Sequence, residues 1–351
     1  MPTTIAIQNK RLNDAEKLSG KLILKSLPQR LCIESSNACN LRCEMCGQSL
    51  RDFKRLNLSY EDFIKTKPFW KTAYDVSLFG WGEPLVNPNL KIFFNEVIEF
   101  KPRIFILTNG LLLNKELAQN FVDKELAFLN FSFDAAKKST YNRIRKGSDY
   151  DTVIKNIKTS VNLRKKSGKK FPYLRMVFVG MKDNIDEFVD FVRLAKRLGM
   201  DEAKMVHMIA YSSKTQDQIL FYQQEKTNEI LKKAKEVAQK IGIKLTIPDL
   251  FDLTGKIPAI PHKPCYRAWE EMFISSDGKA RLCMLSPDIM GDLKKEKITD
   301  IWNNQKYQLA RKTINSRSPL SLCANCPQYR EMNVNRIESF LQCKTVLPGE
   351  K

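Results

Sequence analysis

The sequence predicts an α/β fold: an open, partial barrel of six parallel βα units, followed by a small cysteine-bearing domain. Three observations predict it. Short apolar strands alternate with amphipathic helices through the first two thirds of the chain. Polar motifs stand at the carboxyl ends of four successive strands. Nine cysteines fall into two groups, one near each end.

The strands read as RLCIES (30–35), YDVSLFG (74–80), RIFILTNG (103–110), AFLNFSFD (127–134), PYLRMVFVG (172–180) and AKMVHMIA (203–210). Helical patterns lie between them. NPNLKIFFNEVIEF and NKELAQNFVDK each begin with an Asn in cap position. YDTVIKNIKTSVNLRKK and NIDEFVDFVRLAKRLG repeat apolar residues at 3.6 spacing, and the second stops at Gly199. Such alternation argues for parallel βα units, and six fall short of the eight that close a full barrel.

Composition narrows the classes. The chain has 351 residues, 43% hydrophobic and 28% charged, which is ordinary for a globular protein. No apolar run approaches the roughly 18 residues of a membrane span. The N-terminus, MPTTIAIQNKRLNDAEK, has no apolar core of a signal peptide, so the cytoplasm is expected. Thiols stay reduced there, and clustered cysteines serve as metal ligands or redox groups. The net charge of +20 fits either solvated faces or attraction to an acidic partner. Nucleic acid is not expected, because aromatic and basic residues do not interleave as on an RNA-recognition sheet.

The polar motifs share one address. The loop ESSNACNLRCEMCGQS (34–49) follows the first strand, and GWGEP (80–84) the second. TNG (108–110) ends the third and SFD (132–134) the fourth. Sites in parallel sheets and barrels form at the carboxyl ends of strands, so four strands aim chemistry at one mouth. Cys39, Cys43 and Cys46 are spaced C-x3-C-x2-C there. Structural zinc takes four ligands, and so does an iron–sulfur cubane. Nothing nearby completes the set, since His207 and His262 are the only histidines. A cluster on these three would keep an open iron.

With Met45 before the third cysteine and G-x-G-E-P after the second strand, residues 30–210 resemble the radical S-adenosylmethionine (radical SAM) superfamily. The resemblance implies that Cys39, Cys43 and Cys46 hold a [4Fe-4S] cluster. The free iron of that cluster chelates SAM, and an electron cleaves SAM to a 5′-deoxyadenosyl radical. It implies that Met45 lies near the adenine, and that Gly82, Glu83 and Pro84 receive the methionine ammonium. Trp81 departs from the commoner double glycine. Asn109 and Ser132 match positions of polar contact with SAM, and Arg175 could reach its carboxylate. IRKGSDYDTVIKNI (144–157) resembles the stretch after the fourth strand, with no role assigned.

The C-terminal part repeats the theme. MFISSDGKARLC (272–283) reads as a hairpin around Asp277-Gly278. GDLKKEKITDIWNNQKYQLARK (291–312) reads as a tight loop and one amphipathic helix anchored by Trp302. With Cys265, Cys283 and the C-x2-C of Cys323 and Cys326, this order resembles the SPASM/Twitch extension of radical SAM enzymes. Gln328 to Met332 supply no further cysteine, so the resemblance implies one auxiliary [4Fe-4S] cluster, the Twitch arrangement. A four-thiolate zinc site is the alternative for the same residues. Cys32 reads as a core thiol. Cys343 is open between a buried thiol, a replacement ligand and a hydrogen-atom donor.

The expected organisation is an N-terminal extension (1–29), a radical SAM core (30–215), a connection (216–260) and an auxiliary domain (261–351). The expected function is hydrogen abstraction from a small sugar, aminocyclitol or phosphorylated substrate, ending in a two-electron oxidation. A ribosomal-peptide maturase and a carbohydrate epimerase are the alternatives with the same chemistry. A zinc-stabilised RNA-binding protein is the alternative from another class. The expected cofactors are two [4Fe-4S] clusters and SAM, with flavodoxin or ferredoxin as electron donor.

Overall fold

A computed structural model describes residues 2–50, 54–254, 264–316, 318–320, 323, 326 and 334–341. Six parallel strands form in the expected order: β1 (Arg30–Ile33), β2 (Asp75–Ser77), β3 (Arg103–Thr108), β4 (Phe128–Ser132), β5 (Tyr173–Gly180) and β6 (Glu202–His207). Each pairs in parallel with the next. Four more strands join the same sheet: β7 (Lys244–Thr246), β8 (Glu271–Ile274), β9 (Lys279–Arg281) and β10 (Ile289–Asp292). The spatial order is β10-β9-β8-β1-β2-β3-β4-β5-β6-β7.

Two further parallel strands flank the expected six: β7 pairs with β6 and β8 pairs with β1. The expected hairpin is present, with Gly278 at φ +80 in its turn, but its first arm is also an edge extension of the barrel. The sheet stays open, since no pairing joins β7 to β10 among the described residues.

Strand β5 shows how the sequence sets the layers. Leu174, Met176 and Phe178 are buried, and they alternate with half-buried Tyr173, Arg175, Val177 and Val179. Alternation puts the first set on one face and the second on the other. Phe178 meets Phe188 and Phe191 of helix Phe188–Leu198 at 5.2 and 5.0 Å between ring centres. The buried set thus faces the helices and the half-buried set faces the concave side. Full burial of each such side chain stabilises by about 1.5–3 kcal/mol.

Side-chain caps form at some helix starts and not at others. Asn114 and Asp149 accept backbone N–H groups of Leu117 and Thr152 and so cap their helices. Asn89 makes no side-chain cap. Its neighbour Asn87 instead donates to the carbonyls of Ser35 and Leu58, tying the second loop to the first.

The C-terminal part leans on the N-terminal segment. Asn13 of helix Thr4–Leu18 donates to the Trp269 carbonyl, and the Trp269 indole donates to Lys21. Trp302 is fully buried and donates to Ser26. It anchors two short helices, Ile298–Trp302 and Gln305–Thr313, rather than the single helix expected. Asn304 breaks the run because its side chain caps the second helix at Tyr307.

Candidate active site

The cysteine loop leaves β1 and is clamped by the stretch to which no role was given. Arg42 N–H donates to the Lys146 carbonyl at 2.8 Å and Glu44 N–H to the Ile144 carbonyl at 3.0 Å. Gly147, at φ +91, sits beside the Asn40 carbonyl. Within the loop, Leu41 N–H donates to the Cys39 sulfur at 3.4 Å.

The GWGEP loop closes on the same segment. Glu83 N–H donates to the Ala38 carbonyl at 2.9 Å. A Cβ on Gly82 would lie 2.4 Å from the carbonyl oxygens of Ser36 and Ala38, so only glycine fits. Pro84 is buried in the turn that follows. The Glu83 carboxylate is 3% exposed and accepts from Thr108 Oγ1 (2.6 Å), Asn109 N–H (2.7 Å) and Leu85 N–H (3.1 Å). Burial dominates these donors and pushes its carboxyl up to about 7. Asn109 also donates to Asn40 Oδ1 at 2.8 Å, which ties the TNG turn to the cysteine loop. Ser132 ends β4 opposite Val177 on the concave side.

Arg175 is placed elsewhere. It lies five residues before the end of β5 and pairs with Glu202 and Asn130. At about 3.3 Å per residue it sits deep on the barrel floor. A buried cation at the mouth is Arg145, from the 144–157 stretch. Arg145 is 5% exposed and Asp134 of SFD is fully buried, and the two form an ion pair. Asp134 is held at φ +66 and also accepts Val179 N–H at 2.7 Å. Arg145 Nη1 reaches the Cys43 sulfur at 4.0 Å. Burial works against the charge of Arg145, but Asp134 and then Cys43 hold its pKa above the usual value.

Met45, Ile144, Met181 and Met208 form a small apolar cluster beside this loop. They line a cleft of about 240 Å³ with Asp183 and Lys214 on its rim.

The thiols suit a polycationic group. Burial, opposed by Arg145, pushes Cys43 up to about 12, and Cys46 and Cys39 add to the rise. Burial raises Cys39 as well, and Cys46 contributes. Metal charge relieves such a set by taking the thiols as thiolates. Arg145 Nε and Asn40 Nδ2 are buried beside it without a hydrogen-bond partner. Among the described residues, no three His, Cys, Asp or Glu side chains converge as they would on a single ion. A cubane does not require that convergence, because each thiolate binds a different iron.

The second set follows the same pattern. Burial pushes Cys283 and Cys323 up to about 12. Cys283, Cys326 and Cys265 each raise Cys323 further. Asn315 brackets the Cys265 backbone with two hydrogen bonds. Arg267, paired with Glu271, is the cation beside Cys283, Cys32 and Cys265. Cys343 lies outside the described residues.

The comparisons agree with this geometry. The Radical SAM superfamily matches residues 33–195, and an iron-sulfur cluster-binding domain, SPASM, matches residues 265–327. The chain carries a radical SAM domain followed by a C-terminal SPASM domain. It is 24% identical to a tungsten-containing aldehyde ferredoxin oxidoreductase cofactor-modifying protein of Pyrococcus furiosus, over 79% of this chain and 81% of that protein. It is 26% identical to a probable GTP 3′,8-cyclase of Saccharolobus islandicus, over 75% of this chain and 85% of that protein. Streptococcus suis SuiB bound to SAM superposes with TM-score 0.67 at 18% identity, over 92% of this chain and 76% of SuiB. Native anSMEcpe with bound AdoMet and the Cp18Cys peptide superposes with TM-score 0.60 at 18% identity, over 86% of each chain.

The chain is thus a radical SAM enzyme, and its domains imply iron–sulfur and SAM binding. The RNA-binding alternative gives way to this. No described helix is long and apolar enough to cross a membrane.

Proposed function

We propose that this enzyme cleaves SAM reductively and takes a hydrogen atom from a peptide side chain. Cys39, Cys43 and Cys46 hold one [4Fe-4S] cluster, and Cys265, Cys283, Cys323 and Cys326 hold a second. When bound, the first cluster supplies the cleaving electron and an open iron for the methionine end of SAM. Glu83 receives the SAM ammonium. Arg145, in place of Arg175, faces the SAM carboxylate. Met45, Ile144, Met181 and Met208 hold the adenine, and Asn109 and Ser132 line the ribose side.

One observation carries the reading. A carboxylate offers about four acceptor sites. Three neutral donors already hold Glu83, which leaves one site at the mouth. A cation there offsets the burial that pushes the carboxyl up to about 7.

The sequence favoured a small sugar-like substrate. The likeness to SuiB, solved with its precursor peptide SuiA, and to anSMEcpe, solved with a peptide, supports the peptide alternative instead. The name GTP 3′,8-cyclase keeps the small-molecule reading as the second. We retain two-electron oxidation as the outcome: Cys265, Cys283, Cys323 and Cys326 would hold a group able to take up the second electron. Flavodoxin or ferredoxin serves as the external donor.

The test is 5′-deoxyadenosine formation by reconstituted, reduced enzyme given short peptides encoded beside its gene, or sugars and nucleotides. Stimulation by a peptide supports the proposal. Stimulation only by a nucleotide or sugar overturns its substrate.

A further inference from the structure

Trp81 stands in the loop that carries Glu83, and it reaches the other cysteine set. Its indole N–H donates to the Met284 carbonyl at 2.9 Å, one residue beyond Cys283. Its own backbone N–H is held by Glu34 Oε1 at 2.8 Å. Glu34 is 3% exposed, and its other oxygen accepts Ser276 N–H, in the β8–β9 turn, at 3.1 Å. A Cβ on Gly80 would lie 2.5 Å from the Glu34 side chain, so this carboxylate packs directly under the loop. The Trp81 ring meets Tyr211 edge-on at 5.7 Å, and a Cβ on Gly47 would lie 2.7 Å from the Tyr211 ring.

These contacts make one continuous path. It runs from Cys283 through Met284 to the Trp81 indole, then along Gly82 and Glu83 to Ala38 and Cys39. Each non-covalent link is a hydrogen bond of ordinary length. The two cysteine sets therefore share a strap, not merely a sheet.

We propose that Trp81 is a positioning residue through which loading of the C-terminal cysteines sets SAM affinity at the mouth. It rests on the reading of Glu83 as the ammonium receptor. Thiolates drawn onto a cluster fix Cys283 and thus the Met284 carbonyl. That carbonyl fixes the indole, and the indole fixes the short Gly82–Glu83 link. With the C-terminal set empty, Met284 is free to shift and Glu83 loses its aim.

The test is a double-mutant cycle on SAM affinity, read by anaerobic calorimetry on the full chain with the first cluster intact. The proteins are wild type, Trp81→Phe, Cys283→Ala and the double variant. Trp81→Phe keeps an aromatic ring beside Tyr211 and removes the N–H together with the rest of the indole bicycle. Each single change is expected to weaken SAM binding about threefold to tenfold, the range of one neutral hydrogen bond. The double variant should be no weaker than the weaker single, because both cut one path. Should Cys283→Ala fail to fold, Cys326→Ala takes its place, since it empties the same set from a different segment. Multiplying effects, or wild-type affinity in the cysteine variant, would overturn the proposal. If wild-type protein with an intact first cluster binds no SAM, the assignment of the mouth falls, and this inference with it.

Discussion

The Arg145 guanidinium lies 4.0 Å from the Cys43 sulfur and is paired on its other side with the buried Asp134 carboxylate. One guanidinium thus joins the cysteine loop to the end of β4. The pair offers positive charge where thiolates and a SAM carboxylate would gather. Removing one partner of a buried pair strands the other, which is costly.

Asp134→Ala should therefore destabilise the protein by about 3–5 kcal/mol in chemical denaturation. Asp134→Asn keeps an acceptor for Val179 N–H and should cost less. A loss below about 1 kcal/mol in the alanine variant would show that Arg145 finds water once freed.

Glu83 gives a pH dependence with a definite sign. Its carboxyl rises from 4.5 to about 7 on burial. The folded protein therefore loses stability as pH climbs from 4.5 through about 7, where a buried anion forms. The same anion is what an ammonium needs. SAM affinity should tighten from about pH 6 to about pH 8 and stay flat in Glu83→Gln. At the upper pH that variant should bind SAM about tenfold or more weakly, as expected for a charged hydrogen bond. Equal affinities would remove Glu83 from the SAM loop.

Iron content separates the two cysteine sets. Reconstituted protein should hold about eight irons and eight sulfides per chain. Replacing Cys39, Cys43 and Cys46 together by Ala should remove about half and abolish 5′-deoxyadenosine formation. A triple variant that still forms it would refute the assignment.

The radical outcome can be read from two further variants. Cys323→Ala should block product while SAM cleavage continues, if the second cluster accepts the electron. Cys343→Ala should then change little. An unchanged oxidation level with one solvent deuterium in the product would identify an epimerase, and Cys343→Ala should stall that reaction after abstraction.

Much of this site was legible in the sequence because its chemistry is local. Cys39, Cys43 and Cys46 lie within eight residues, and Gly82, Glu83 and Pro84 are consecutive. Period-two and 3.6-residue patterns placed those motifs at strand ends, because side-chain direction follows backbone geometry. The C-terminal cysteines stand out as candidates in the same way, from their order along the chain.

What the sequence could not supply was depth and partnership. Arg175 and Arg145 look equivalent as letters beside strands. Tertiary packing puts one on the floor with Glu202 and the other at the mouth with Asp134. Likewise β7 and β8 each became a parallel neighbour only because the sheet exposed an edge there. The Trp81–Met284 bond spans 203 residues of sequence. The sequence by itself determined which residues carry thiol and carboxylate chemistry and on which strands they sit. The tertiary structure alone decided which cation and which indole meet them. A hydrogen bond or ion pair depends on distance in space, and chain position constrains that distance only within an element.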